Sequence, residues 1–309
     1  MSGPSVSARA PAKVNVHLGV GPLRPDGFHE LATVFLAVSL FDTVTVRPGA
    51  GLTLQVSGEG TTAAVGVSSV PDDRRNIVWQ AAELLAASAG VPADADIDVD
   101  KAIPVAAGLA GGSADAAAAL VALDALWNTR AARSDLADLA AQLGSDVPFA
   151  LLGGVALGGG RGERLTPALA HGRSHWVLGI AGVGLSTPAV YAELDRLRAA
   201  GEVSDGAGLA SPDAVLSALR AGGAGLAQAL ANDLQQPAMS LRPDLRRALA
   251  AATDAGAAGV LVSGSGPTVA ALVESEEAAV RVAARLAGEG VFRTVRAVHG
   301  AVPGARLIS

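Results

Sequence analysis

The stretch that most constrains this chain is residues 103–126. Ile103-Pro104-Val105-Ala106-Ala107-Gly108-Leu109-Ala110-Gly111-Gly112-Ser113-Ala114-Asp115 is a glycine-rich loop, and 114–126 is almost pure helix former. Glycines let a main chain approach an anion and aim successive N–H groups at it. A helix start adds unpaired donors and the positive end of its dipole. The pattern therefore predicts a phosphate-binding loop, with Ser113 placed to reach a phosphate oxygen or a magnesium ion. The competing reading is a tight loop with Ser113 as an ordinary helix N-cap. No Gly-Lys dipeptide and no G-x-G-x-x-G occurs, so neither a Walker A loop nor a Rossmann fingerprint is present.

Length and charge narrow the class. At roughly 150 residues per domain, 309 residues predict about two domains. Half the residues are apolar and 17% are charged, which excludes a disordered chain. No apolar run is long enough to span a membrane, and Met1-Ser2-Gly3-Pro4-Ser5 lacks the basic start of a signal peptide. Zero cysteines exclude disulfides, thiolate zinc sites and cysteine nucleophiles. A net charge of −6, with no basic stripe, argues against nucleic-acid binding. A cytosolic enzyme is the expected class. Lysine occurs only at Lys13 and Lys101; every other cation is arginine. A lysine in such a chain marks a place needing a compact ammonium, or is a chance survivor of compositional bias.

Around Lys13 the chain alternates. Val14, Val16 and Leu18 are expected to face a core, and Lys13, Asn15 and His17 the opposite side of one strand. A turn at Pro25-Asp26-Gly27 follows, then Phe28, His29 and Glu30. Segments 33–38, 43–47 and 52–56 read as strands of an antiparallel meander. Helices are expected at 76–89, 114–126 and 134–143, and a short strand at 97–99. The glycine-heavy stretch 153–162 reads as the domain boundary. A strand at 175–181, a helix from Thr187 with Pro188 at its first position, helices at 212–221 and 245–255, and a closing β-α-β over 269–298 complete an α+β pattern.

Two further segments carry chemistry. In Gly144-Ser145-Asp146-Val147-Pro148-Phe149, Asp146 is either a helix cap or a free carboxylate. Ser263-Gly264-Ser265-Gly266-Pro267-Thr268 is either a sharp corner or a second anion-facing nest. No histidine lies near enough in sequence to a carboxylate cluster to predict a metal site.

The order Pro11-Ala12-Lys13-Val14-Asn15, then the loop 104–113, then Ser263-Gly264-Ser265-Gly266-Pro267 resembles the GHMP kinase superfamily along essentially the whole chain. Arg24-Pro25-Asp26-Gly27-Phe28-His29-Glu30-Leu31 and Gly144-Ser145-Asp146-Val147-Pro148-Phe149 resemble the branch acting on a cytidine diphosphate-linked methylerythritol in non-mevalonate isoprenoid synthesis. The resemblance implies an α+β two-domain fold: an N-terminal unit, 1–164, like the second domain of ribosomal protein S5, and a ferredoxin-like unit, 165–309. The last strand is free to return to the first unit. It implies ATP as co-substrate, Mg²⁺, and a monomer or homodimer acting on a small molecule. By the same resemblance the catalytic pair falls on Lys13 and Asp146, and substrate contacts on Asn15, Phe28, His29, Thr187 and Tyr191. ATP contacts fall on Asn76, Lys101 and the loop Pro104, Val105, Ala106, Ala107, Gly108, Leu109, Ala110, Gly111, Gly112, Ser113 and Ala114. Ser263, Gly264, Ser265 and Gly266 form the C-terminal glycine turn.

Two departures stand out. Phe28 occupies a position that is often Tyr. Ala106 and Ala107 stand where glycine is common, so left-handed backbone is not expected there. A carboxylate beside an alcohol accepts its proton as attack proceeds, and a nearby ammonium favours its charged form. Tyr191, the only tyrosine, is expected to stack on cytosine opposite Phe28, or to be an ordinary half-buried core ring. A homoserine- or mevalonate-type kinase would share the loop but lack the Asp-Gly-Phe-His segment. A non-catalytic relative would lose Lys13 or Asp146.

Overall fold

The computed structural model describes residues 5–59, 70–182, 184–206 and 209–308. Strands β1 (Val6–Leu23), β2 (His29–Arg47) and β3 (Leu52–Gly58) precede helix α1 (Ile77–Ala89), β4 (Ala95–Lys101), α2 (Gly111–Trp127), α3 (Arg133–Leu143) and α4 (Val147–Leu152). A hairpin of β5 (Val155–Gly159) and β6 (Arg164–Ala168) leads to β7 (Ser174–Ile180), α5 (Thr187–Ala199), α6 (Asp213–Arg220) and α7 (Leu226–Ala229). Then come β8 (Ala231–Asn232), α8 (Gln235–Leu241), α9 (Asp244–Asp254), β9 (Gly259–Val262), β10 (Val269–Val273), α10 (Glu276–Gly288), β11 (Thr294–Gly300) and β12 (Arg306–Ile308).

The described strands join in one branched sheet whose main path is β12-β1-β2-β11-β7-β10-β9. The long strand β2 is its junction. It pairs β1 along most of its length, β5 through 33–36, β11 at Val38 and β4 through 43–47. The expected meander stops at β1 and β2. β3 lies parallel to β4, on the far side from β2, because α1 provides a crossover long enough to bring a strand back in the same direction. Within the glycine stretch 153–162, Val155–Gly159 form β5, which pairs with β2 and leads through a turn into β6.

Helix α2 lies against β1 and β2, and its alanines explain how. Ala114, Ala116, Ala117, Ala118, Ala119 and Ala122 are fully buried, so the backbone sits close to the sheet with no side-chain entropy lost. Leu120 and Leu123, also fully buried, anchor it; truncating either to Ala costs ~2–5 kcal/mol. A second core gathers Leu18 and Val20 of β1 with Val190, Leu194, Leu245, Val262 and Val282 of the C-terminal half. β1 thus belongs to both cores: Val14 and Val16 pack in the first, whereas Leu18 and Val20, beyond a bulge between Asn15 and His17, pack in the second instead of on the face expected for them.

Candidate active site

Strand β1 delivers Lys13 and Asn15 to one face, but a bulge between Asn15 and His17 shifts the register, pairing Asn15 with Phe35 and His17 with Val34. The expected shared face is broken and His17 turns to the opposite side; all three are buried. Lys13 Nζ donates to Asn15 Oδ1 at 2.5 Å, Asn15 Nδ2 to Thr33 Oγ1 at 2.8 Å, and Thr33 Oγ1 to the carbonyl of His17 at 2.8 Å. This relay fixes which end of the Asn15 amide meets the ammonium. His17 takes no part in the cavity: its Nε2 meets the Ala210 carbonyl at 3.0 Å, and burial pushes its pKa down.

Asp146 precedes α4, and its Oδ2 lies 3.8 Å from Lys13 Nζ. It makes no cap hydrogen bond to α4. Pro148, the second helical residue, has no N–H to offer, and the carboxylate faces the cavity instead.

The phosphate loop departs from expectation at its alanines. Ala106 and Ala110 both adopt left-handed backbone, with φ of 53° and 58°. For a residue bearing a Cβ this costs about 1–2 kcal/mol, and the loop's fixed packing imposes it. Ala110 caps α2, so Ser113 is the third helical residue and not its N-cap. The first-turn N–H groups of Gly111, Gly112 and Ser113 therefore have no intrahelical partners. The loop is held from two sides. Lys13 N donates to the Leu109 carbonyl at 3.2 Å, and Ser263 Oγ to the Gly108 carbonyl at 3.2 Å. A Cβ on Gly108 would lie 2.6 Å from the Ser263 carbonyl oxygen and 2.8 Å from that of Gly266, so the two glycine loops touch backbone to backbone. Gly264 likewise lets the second loop come beside Asn15 and Lys13.

Lys101 is held differently from Lys13. Its ammonium lies 2.5 Å from Asp115 Oδ2 and 2.6 Å from Asp42 Oδ2, all three side chains buried. Asp42 Oδ1 also accepts from the N–H groups of Ala102 and Ile103. Burial pushes the Asp115 carboxyl well above its ordinary range; Lys101 opposes the rise and Asp42 adds to it. Asp115 Oδ1 is buried with no hydrogen-bond partner.

At the other end of the cavity, buried His29 bonds through Nε2 to Asp195 Oδ1 at 2.9 Å and stacks on Tyr191, ring centroids 5.2 Å apart. Tyr191 and Asp195 stand four apart on α5 and so share a face. Burial, then the charge of Asp146, raises the Tyr191 pKa. Phe28 is half exposed and carries the Arg161 guanidinium 4.7 Å from its ring centroid. One face of each ring is thus already occupied. Ser186, not Thr187, is the N-cap of α5, which puts Pro188 at the second position; Thr187 Oγ1 meets Ser265 Oγ at 2.8 Å.

One cavity of about 810 Å³ collects most of the expected residues. Lys13, Asn15, Asp146, Phe28, His29, Thr187, Tyr191, Lys101, Gly264, Ser265, Pro104 to Gly108, and Ala110 to Ser113 all line it. Leu109, Ala114, Ser263 and Gly266 stand behind the lining as support. Asn76 is not brought in: its Oδ1 accepts from Val78 N and its Nδ2 donates to the Pro71 carbonyl, making it the cap of α1. Sequence reasoning missed Thr33, Asp42, Asp115, Asp195 and Arg161. Asp115 lies inside the loop motif and Asp195 one helical turn beyond Tyr191, so both had a local signal. Asp42 and Arg161 had none. Among the described residues no cluster of three or more His, Asp or Glu side chains is arranged to hold a metal ion, and no helix is long and apolar enough to cross a membrane.

Residues 76–154 match the GHMP kinases N-terminal domain and 215–291 the GHMP kinases C-terminal domain. A 4-diphosphocytidyl-2-C-methyl-D-erythritol kinase of Nocardia farcinica is 58% identical over 98% of this chain and 96% of its own. One from Rhodococcus jostii is 56% identical over 98% and 95%. A crystal structure of 4-(cytidine 5'-diphospho)-2C-methyl-D-erythritol kinase superposes with a TM-score of 0.76 at 36% identity, covering 95% of this chain and 98% of that one. With its two glycine loops meeting over a lysine–aspartate pair, the chain belongs to the GHMP kinases and, among them, to the 4-diphosphocytidyl-2-C-methyl-D-erythritol kinase family.

Proposed function

We propose that this chain transfers the γ-phosphoryl group of ATP to the 2-hydroxyl of 4-diphosphocytidyl-2-C-methyl-D-erythritol, giving the 2-phosphate and ADP in the non-mevalonate pathway. The observation that carries the reading is the Lys13–Asp146 pair, 3.8 Å apart and facing the same cavity as the N-terminus of α2. An alcohol is a poor nucleophile at neutral pH. Asp146 accepts its proton as the oxygen attacks phosphorus, and Lys13, aimed by Asn15, holds the carboxylate and faces the transferred group. The N–H groups of Gly111, Gly112 and Ser113 receive the phosphate oxygens, and the dipole of α2 adds to the field. His29, Phe28 and Tyr191 form the cytosine end, with Thr187 beside them. The ammonium of Lys101, taken up by two carboxylates, braces the loop from behind.

Magnesium fits the donors present. Ser113 lines the cavity with its hydroxyl, and Asp115, which lines it too, has an orphaned Oδ1. Ser113 and Asp115 would hold the ion, whose charge would neutralise the phosphates and favour the ionised form of Asp115. Every residue named comes from one chain, so a monomer and a homodimer serve equally. The setting that goes with an ATP-consuming kinase of small molecules is the cytoplasm.

The test is ADP release by purified protein with ATP, Mg²⁺ and the diphosphocytidyl substrate, against homoserine and mevalonate. Turnover is expected with the first alone. Comparable kcat/KM on either of the others, or none on the first, sinks the reading.

A further inference from the structure

The cavity must accept two polyanions, yet its titratable lining is balanced. Lys13, Lys101 and Arg161 face it as cations, and Asp115, Asp146 and Asp195 as carboxylates. The cations differ in what they have left to give. Lys101 is closed between Asp42 and Asp115, and Lys13 faces Asp146. Arg161 has no ion pair among the described residues. Among the described residues its guanidinium lies over the Phe28 ring and, after the Arg24 hydrogen bond, its charge helps hold the Asp26 carboxyl down. Its side chain makes no hydrogen bond among those residues, which leaves its N–H donors for a ligand.

Its place is nonetheless fixed. Gly160, just before it, accepts from Leu31 N at 2.8 Å and donates to Glu30 Oε1 at 3.0 Å. Arg161 N donates to Glu163 Oε2 at 2.7 Å. The other acids around it are occupied as well. Asp26 is bonded by Arg24, and Glu30 by Arg24 and Arg164. The hairpin β5–β6 is thus tied to the Phe28 turn, and presents one arginine, its guanidinium 4.7 Å from an aromatic ring centroid, at the cytosine end of the cavity. A guanidinium so placed recognises two adjacent phosphate oxygens through parallel N–H donors.

We propose that Arg161 binds the diphosphate of the cytidine-linked substrate, and so selects a nucleoside diphosphate derivative over an unphosphorylated nucleoside. This rests on the substrate reading above. Because Arg161 is exposed on a turn, its replacement leaves the cores untouched.

Titration calorimetry with cytidine, CMP, CDP and ATP on the wild type, Arg161→Met and Arg161→Lys tests it. In the wild type CDP is expected to bind more tightly than cytidine. Arg161→Met is expected to lose about ten- to a hundredfold in CDP affinity, with cytidine and ATP affinities unchanged, and Arg161→Lys to recover part of the loss. An equal loss for cytidine and CDP would mean that Arg161 only supports Phe28, and overturns the proposal. So does unchanged CDP binding, or a loss confined to ATP. Failure of the wild type to bind either cytidine or CDP overturns the substrate reading itself, and this proposal with it.

Discussion

The two lysines make an instructive pair. Both are buried, both lie at the edge of one cavity, and both face carboxylates. Around Lys101 two carboxylates sit within 2.6 Å, one of them inaccessible to solvent, and main-chain donors complete the set. Around Lys13 a single carboxylate stands off at 3.8 Å, with about a third of its side chain exposed. An ammonium compensated on every side holds structure in place. One compensated on a single side, facing open space, retains both field and room for a reactant. On the function proposed above, the same residue type is a brace in one position and a reagent in the other, and the difference lies in the neighbours.

The sharpest way to break this comparison is at Asp146. Asp146→Asn preserves shape and removes the base, so kcat is expected to fall by ~10²–10⁴ with the melting temperature nearly unchanged. A variant keeping more than about a tenth of wild-type kcat, in single-turnover measurements, returns Asp146 to the bystanders. Lys101→Met should show the opposite profile. It strands two buried carboxylates and is expected to cost about 3–5 kcal/mol of stability, read by denaturant unfolding. A stable Lys101→Met with lost ATP affinity would make Lys101 a direct ligand instead.

Gly112→Val probes the loop that Lys101 supports. An added Cβ at Gly112 meets nothing nearer than Ile77 Cγ2 at 3.9 Å, whereas at Gly111 it would press on Ile103 at 3.1 Å. Gly112→Val therefore fills the anion cradle without disturbing the core. ATP affinity should drop at least about tenfold by calorimetry, the equivalent of one strong hydrogen bond. Unchanged affinity would place the phosphates elsewhere.

The smallest effect reports the charge of Asp146 directly. Tyr191 is the only tyrosine, so tyrosinate absorbance is a single-site signal. Its pKa is raised by burial first and by Asp146 second. In Asp146→Asn the titration should move down towards the ordinary value while staying above it, because burial remains. The linked stability runs in the same sense. A raised folded-state pKa contributes fully below about pH 10 and is lost as pH climbs past it, and less is lost in the variant.

How much of this was legible in the sequence follows from range. Period two in β1 gave the shared face of Lys13 and Asn15 but not the bulge that turns His17 away, and the glycine–alanine junction gave the loop and α2, because these are local patterns. The parallel place of β3, the hairpin in 153–162 and the carboxylate Asp42 behind Lys101 depend on pairings between distant segments. Ala106 shows the limit even locally: nothing in its sequence neighbours reveals that its φ is 53°. Asp146 needed one more residue of reasoning, since Pro148 already withholds one of the two N–H groups a cap would use.

The contact of Gly108 with Ser263 also has a consequence during synthesis. The two are separated by 155 residues. At 5–20 residues per second a ribosome needs about 8–30 s to make that interval. Throughout it the first half emerges with its nucleotide loop lacking one of its two walls. If the loop is the ATP cradle proposed above, a growing chain completes it only when its C-terminal turn arrives, and a fragment ending before that turn is expected to hold no nucleotide.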